Sequence, residues 1–277
     1  MAPPLSSPLS STLPSWLQGF RTASAPRRTL ACFPYAGAGA AVFRDWASHV
    51  GPDTELLAVR LPGRESRIGE PPLHRVEEAV PALLAALEPL GERPLILFGH
   101  SLGAALAYAT ARALAAHGRP PALLAVSGRR APPLPSRRPP VDGLDDADFR
   151  ARLAALGGTP PEVLACDDLM ELMLPMLRAD FAMSDGFLEP DPPPLPVPIL
   201  AFAGAEDTEA MVGGGRRVGT AGRGGIQPVH ASRRPFLPAR AARGDCRTSD
   251  RRKFSKHQLS VDILFDGKSF DEDNRIR

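Results

Sequence analysis

The feature that most constrains the fold is an apolar strand that runs directly into a glycine-bounded serine and then into a helix. Pro94 to Phe98 (PLILF) is a continuous apolar run, which is typical of a strand covered on both faces. It leads into Gly99-His100-Ser101-Leu102-Gly103, and helical spacing of apolar residues continues from Leu102 to about His117. A buried strand, a tight turn and a long helix in this order predict a layered α/β domain.

The same alternation of strands and helices recurs over the first 210 residues. A helix is predicted from Val76 to Leu90, where Gly91 follows. Strands separated by helices at these distances predict crossover connections and a mainly parallel sheet flanked by helices. The remaining predicted strands are Arg28–Pro34, Glu55–Arg60, Leu123–Ser127 and Val197–Gly204.

The chain divides into three parts by composition. Residues 1–24 are rich in Ser and Pro and predict a flexible N-terminal segment, whereas 25–210 form the α/β domain. Within that domain, 128–194 changes to Pro-rich turns and short helices, which we interpret as a helical lid above the sheet edge. Residues 211–277 form an anomalous tail, which we expect to be disordered. The predicted lid helices are Asp145–Leu156 and Pro161–Met176.

Composition excludes several classes of protein. Hydrophobic residues make up 43% of the chain, with no apolar run long enough to span a membrane. The N-terminus lacks a basic start and an apolar block, so we expect no export signal. The three cysteines, Cys32, Cys166 and Cys246, show no CxxC spacing, which argues against a disulfide framework and a zinc site. We expect a cytoplasmic monomer that needs no metal or other cofactor.

Ser101 is the candidate nucleophile. Gly-x-Ser-x-Gly at a strand-to-helix turn lets the Ser hydroxyl stand clear of the backbone. The motif alone would occur by chance in roughly one chain of this length in ten, but here it has the flanking strand and helix that the chemistry demands. The Leu102 amide, at the start of the helix, is one candidate oxyanion donor.

Two further candidates come from the loops after other strands. The small-residue loop Phe33 to Ala38 predicts a second oxyanion donor, the amide of Ala36. The alternatives are a turn shaped only by packing, or a phosphate-binding loop, which the absence of a following Lys-Ser/Thr disfavours. Asp207 follows the strand that ends at Gly204 and is placed to orient a catalytic histidine, with neighbouring Glu206 as a solvated charge.

Four segments in order, CFPYAGAGAAVFRDW, LPGRESR, FGHSLG and VPILAFAGAED, resemble type II thioesterases of polyketide and non-ribosomal peptide assembly lines. The resemblance covers the chain from about Trp16 to Asp207 and implies an α/β-hydrolase fold. It also implies hydrolysis of acyl or aminoacyl groups from the phosphopantetheine arm of acyl or peptidyl carrier proteins. The resemblance implies that Ser101 attacks the thioester and that the backbone amides of Ala36 and Leu102 hold the oxyanion. It also implies that Asp207 orients a catalytic histidine.

The expected Gly-Gly-His-Phe-Phe segment that carries this histidine is missing. The region instead holds His230 without those neighbours, and we expect neither His230 nor His100 to replace the base. A reading frame shifted by one base at Arg234–Pro238 permits Gly-His-Phe-Phe-Pro from the codons CGG CCA TTT CTT CCC. We therefore predict that the translated sequence leaves its ancestral frame near Met211.

The charge distribution agrees with a change of frame. Residues 211–277 carry 15 Lys or Arg against 7 Asp or Glu, a net charge of +8, whereas residues 1–210 carry 18 against 24, a net charge of −6. All three lysines, Lys253, Lys256 and Lys268, and the single Asn274 lie in this tail. We interpret the basic tail as a by-product, with no nucleic-acid or membrane partner. We also expect the last strand and helix of the core to be lost, and little or no hydrolysis.

Alternatives remain open for the function and for the lid. A carboxylesterase or lipase shares the serine, and a carrier-binding remnant without catalysis would explain the missing histidine. Methionines and leucines at helical spacing in the lid favour core packing over acyl contact, and a group of arginines could meet an acidic carrier or be solvated. These residues are Leu169, Met170, Leu172, Met173, Met176 and Leu177, with Arg129, Arg130, Arg137 and Arg138.

Overall fold

The computed structural model describes residues 13–23, 25–204 and 226–231. Seven strands in these ranges form one sheet in which every neighbouring pair is parallel except the first strand, which pairs antiparallel. The strands are β1 (Leu17–Arg21), β2 (Arg28–Phe33), β3 (Thr54–Val59), β4 (Leu95–His100), β5 (Leu123–Ser127), β6 (Ile199–Gly204) and β7 (Ile226–Ala231). Their spatial order, β1-β3-β2-β4-β5-β6-β7, places β4 at the centre. The predicted mainly parallel sheet is confirmed.

Apolar layers cover both faces of the sheet. Helices α1 (Val76–Leu87) and α2 (Leu102–Ala116) bury one face, and a 3₁₀ helix at Ala40–Ser48 covers the other. On this second face Trp46 packs on Phe98 with ring centroids 4.8 Å apart. Small alanines along α2 let it approach the sheet closely, which places its N-terminus directly above β2 and β4.

The lid consists of three helices, α3 (Asp146–Leu156), α4 (Pro161–Leu164) and α5 (Asp167–Gly186). Its own apolar cluster is built around fully buried Phe149, which meets Phe181 edge to face at 5.6 Å. Ala36 packs against this cluster as well as against the main core. The lid therefore rests on the loop that follows β2.

Two lid features differ from the sequence-based expectation. The segment predicted as one helix from Pro161 to Met176 is two helices, because Cys166 takes an extended backbone conformation (φ −98°, ψ 104°). Asp167 and Asp168 then provide an acidic first turn, which suits a helix N-terminus. The second helix also passes Pro175 and continues to Gly186.

The two ends of the domain differ from expectation too. Within the predicted flexible segment 1–24, Leu17–Arg21 is a strand, because it pairs antiparallel with β3 and buries Leu17. The expectation that no strand follows Asp207 is wrong for Ile226–Ala231, which adds β7 in parallel beside β6. The rest of the predicted tail, 211–225 and 232–277, lies outside the described residues.

Within residues 13–23 and 25–204, no helix is both long enough and apolar enough to cross a bilayer.

Candidate active site

Ser101 occupies a strained turn between the central strand and α2. Its backbone has φ 53° and ψ −114°, a region that L-residues rarely adopt and that costs about 1–3 kcal/mol. The Ser101 amide donates to the Ser127 carbonyl at 2.8 Å, which fixes the turn to the end of β5. The residue is partly exposed, and within the described residues its hydroxyl makes no hydrogen bond. Ser101 therefore lies at the strained strand-to-helix turn that the sequence predicts, and its role as nucleophile stays a prediction.

Gly99 and Gly103, on the two sides of Ser101, lie so close to neighbouring backbone that a side chain would not fit at either position. A Cβ on Gly99 would collide with the carbonyl of Gly103, and a Cβ on Gly103 would collide with the carbonyl of Phe33. These contacts press the N-terminus of α2 onto the end of β2. The loop after β2 is consequently brought beside Ser101.

Two backbone N–H groups at this place have no acceptor among the described residues. Leu102 is the first residue of α2, so its amide has no partner within the helix. Ala36 lies in a turn closed by the Ala38 amide donating to the Tyr35 carbonyl at 3.0 Å, with Gly37 at φ 79°. An oxyanion hole needs two such amides, so Ala36 and Leu102 stay our candidate donors.

A buried ion pair that no sequence pattern predicts also contacts this turn. Asp180 of α5 accepts the Gly37 amide at 2.7 Å and forms a two-pronged pair with Arg64, at 2.7 and 2.8 Å. Arg64 also donates to the Ala38 carbonyl at 3.0 Å. The available signal was Asp180 itself, a carboxylate at an apolar position between Ala179 and Phe181.

Glu65, next to Arg64, supports the same loop. Its carboxylate accepts the Ala40 and Ala41 amides at 3.1 and 3.0 Å, which satisfies the first N–H groups of the 3₁₀ helix. Glu65 does so from a left-handed backbone conformation, φ 51°. The LPGRESR segment thus holds the loop after β2 in place.

His100 is packed beside the nucleophile by neighbours of its own. Its Nδ1 lies 3.2 Å from the Ser127 hydroxyl, and its ring meets Tyr35 edge on at 5.9 Å. Gly128 leaves room for it, since a Cβ there would lie 2.5 Å from the imidazole Cε1. Burial raises the pKa of Tyr35 to about 12, so this phenol stays neutral at ordinary pH. These contacts agree with a role of His100 in shaping the turn at Ser101.

Asp207 and Glu206 lie outside the described residues, but the described strand β6 ends at Gly204. The carboxyl ends of parallel strands meet at one edge, and Ser101 follows β4 at that same edge. The backbone of His230 pairs with Ala203 near the carboxyl end of β7.

The methionines and leucines at helical spacing in the lid differ in how far their side chains are buried. Met170, Met176 and Leu177 are buried in the lid cluster, whereas Leu172 is 61% exposed. Core packing is thus confirmed for the three buried residues.

The candidate carrier-binding arginines also make contacts within the chain. Arg129 donates to the Ser184 hydroxyl and carbonyl at 3.0 and 2.8 Å, and Arg130 donates to the Leu134 carbonyl. Arg138 pairs with Asp185 at 3.6 Å. These contacts favour a role in holding the lid.

This chain is similar to known proteins in both sequence and structure. A family model described as a thioesterase domain matches residues 28–232. Thioesterase PikA5 of Streptomyces venezuelae is 41% identical over 197 residues, 70% of each chain. The gramicidin S biosynthesis protein GrsT of Aneurinibacillus migulanus is 35% identical over 193 residues, 69% of this chain and 75% of that protein.

Two solved structures agree with these sequence matches. YbtT, a type II thioesterase from the yersiniabactin biosynthetic pathway, superposes with a TM-score of 0.65 at 35% identity, covering 71% of this chain and 81% of that one. RedJ, a thioesterase from the prodiginine pathway in Streptomyces coelicolor, gives a TM-score of 0.71 at 30% identity, covering 87% and 85%.

A mainly parallel sheet with a strained serine after its central strand, and helices on both sides, defines an α/β-hydrolase. The family match then narrows the class. The chain belongs to the thioesterase-domain family, and its relatives and structural neighbours include type II thioesterases of polyketide and non-ribosomal peptide pathways. The matched residues continue past Met211 and include β7.

Proposed function

We propose that this protein removes acyl or aminoacyl groups from the phosphopantetheine arms of carrier proteins, as an editing thioesterase of polyketide or peptide synthesis. The observation that carries the proposal is Ser101, held at φ 53° beside two unpaired backbone amides. The names of the relatives support the substrate class, since YbtT is a type II thioesterase of a mixed peptide and polyketide pathway. We place the protein in the cytoplasm, as a monomer, because soluble carrier proteins are located there.

The chemistry follows from the site. The Ser101 hydroxyl oxygen attacks the thioester carbonyl carbon, and the Ala36 and Leu102 amides stabilise the oxyanion that forms. Collapse of this intermediate breaks the carbon–sulfur bond and releases pantetheine as a thiolate. Water then attacks the acyl-Ser101 ester and releases the acid. Asp207 is our candidate for the acid that orients the base.

The expected general base is missing from the sequence of this chain. The family motif Gly-Gly-His-Phe-Phe is absent, so proton transfer from Ser101 lacks its usual acceptor. Loss of one triad member leaves only the slow rate that binding and oxyanion donors supply. This observation favours a second candidate, a remnant that binds carrier proteins without turning over their thioesters.

Thiol release from a short-chain acyl-pantetheine tests the proposal, with the corresponding oxygen ester as the comparison. For the full chain we expect cleavage of the thioester about 10³–10⁴-fold above its uncatalysed rate, and little further loss in Ser101→Ala, because triad members act as a unit. Cleavage of neither ester, together with carrier binding, would favour the remnant. Equal preference for the oxygen ester would favour a carboxylesterase.

A normal turnover number, abolished by Ser101→Ala, would contradict the loss of the base. In that case His230→Ala is the decisive variant, because the His230 backbone lies near the carboxyl end of β7. If His230→Ala then abolished turnover as fully as Ser101→Ala, His230 would be the base, contrary to the sequence-based expectation.

A further inference from the structure

The turn that carries the Ala36 amide is held by two buried side chains that take no part in the proposed chemistry. Asp180 and Arg64 have side chains that are 0% and 5% exposed. They come from distant parts of the chain, the lid helix α5 and the loop after β3. Both contact the same short turn, since Asp180 accepts the Gly37 amide and Arg64 donates to the Ala38 carbonyl.

We propose that Asp180 and Arg64 are positioning residues, which fix the oxyanion turn and connect its geometry to the lid. This inference rests on the proposed function, because the Ala36 amide matters only if it receives an oxyanion. The pair thus binds the peptide group between Ala36 and Gly37 through its N–H, and the peptide group after Ala38 through its carbonyl. Rotation of the turn would break at least one of these hydrogen bonds and leave a buried polar group unpaired.

Packing at Gly37 supports the same connection. A Cβ on Gly37 would lie 2.7 Å from the Leu177 Cδ2, so α5 lies directly on the turn. Asp180 is one helical turn further along the same helix, on the face that meets the turn. A shift of α5 would therefore move the acceptor of the Gly37 amide, and the oxyanion donor would respond to the position of the lid.

A second lid carboxylate provides a matched control. Asp185 also lies on α5, with a side chain that is 7% exposed, and it pairs with Arg152 at 3.3 Å and Arg138 at 3.6 Å. Asp185 also accepts a hydrogen bond from the Ser136 hydroxyl, and both Ser136 and Arg152 are likewise in the lid segment. Asp185→Asn thus disturbs a buried ion pair of the lid without touching the oxyanion turn.

The test uses butylboronic acid, whose boron accepts the Ser101 oxygen while the serine proton leaves to solvent. The tetrahedral boronate presents a negatively charged oxygen to the donors, and its equilibrium binding does not require a general base. The key variant replaces both partners, Arg64→Met with Asp180→Leu, because exchange of a buried ion pair for apolar groups usually preserves stability. We expect this variant to fold but to melt a few degrees below the parent, because the Gly37 amide and the Ala38 carbonyl lose their partners, and to bind the boronate about ten-fold more weakly.

Hydrogen exchange of the same proteins gives a readout that does not depend on the ligand. In the double variant the Ala38 amide, which closes the turn, should exchange faster, whereas Asp185→Asn should leave both its exchange and the boronate affinity unchanged. Arg64→Lys keeps the charge but loses the two-pronged geometry, and we expect it to weaken binding by a smaller factor. It also serves as the test if the double variant does not fold.

The outcomes separate this inference from the proposed function. Boronate binding to the parent that Ser101→Ala abolishes, together with weakened binding in the double variant, supports both. Unchanged binding and unchanged Ala38 exchange in a folded double variant, or in Arg64→Lys, overturns the positioning role alone. Absence of Ser101-dependent binding in the parent overturns the proposed site, and the positioning role with it.

Discussion

Ser101 adopts a backbone conformation that is maintained by its surroundings rather than by its own preference. The Ser127 carbonyl holds its amide, and two glycines allow the backbones on either side to approach. The sequence predicts this residue well, because strand, turn and helix signals are local. Asp180 and Arg64 could not be predicted in the same way, since they are 116 positions apart and no local pattern pairs them.

The strain at Ser101 makes a prediction about stability. Ser101→Gly and Ser101→Ala both remove the hydroxyl, but only glycine adopts φ 53°, ψ −114° without steric conflict. We expect Ser101→Gly to have a free energy of unfolding about 1 kcal/mol above that of Ser101→Ala. Urea denaturation measures the difference. Equal stability of the two variants would show that the turn is not strained.

At the scale of elements, local pattern predicts most helices and strands, and long-range pairing decides the exceptions. The interior strands and α2 have apolar patterns that predict them to within about two residues. The edge strand β1 was missed because its pairing with β3, and not its own Ser- and Pro-rich surroundings, makes it a strand. The break at Cys166 was missed because the apolar spacing continues across it.

The lid has its own apolar cluster, and this predicts a local response to mutation. Phe149 is fully buried there, against Phe181 and beneath Arg178, so Phe149→Ala should destabilise the lid by about 3 kcal/mol. Hydrogen exchange should rise across residues 146–186 while β4 keeps its protection. Leu172→Ala is the control, because its side chain is 61% exposed and should cost under about 0.5 kcal/mol. Equal loss of protection in β4 would mean that lid and sheet unfold together.

At the scale of the whole molecule, the order of the strands brings together residues that are far apart in sequence. Ala36 follows β2 and Ser101 follows β4, and these two strands are neighbours in the sheet. The sequence predicts a parallel sheet but not the place of β7, whose residues do not have a typical strand pattern. Its register beside β6 is set by tertiary pairing.

The origin of the C-terminal residues can be checked in the gene. We predict that codons 205–240 contain, one base out of frame near Arg234–Pro238, a sequence that reads Gly-His-Phe-Phe. The physical reason is that Ser101 lies at the strained turn on which serine hydrolysis depends, and such a serine requires a histidine base from a later part of the chain. Sequencing of the DNA decides the matter. A base order that gives no such motif in either shifted frame would contradict the altered-frame hypothesis.

We propose that Ser101 faces two backbone amides that stabilise an oxyanion. A crystal structure of the full chain with butylboronic acid tests it most directly. We predict a tetrahedral boron bonded to the Ser101 oxygen, with one boronate oxygen about 2.7–3.1 Å from the amide nitrogens of Ala36 and Leu102. A structure in which the boron binds elsewhere, or in which these two amides point away from the boronate oxygen, would contradict the account.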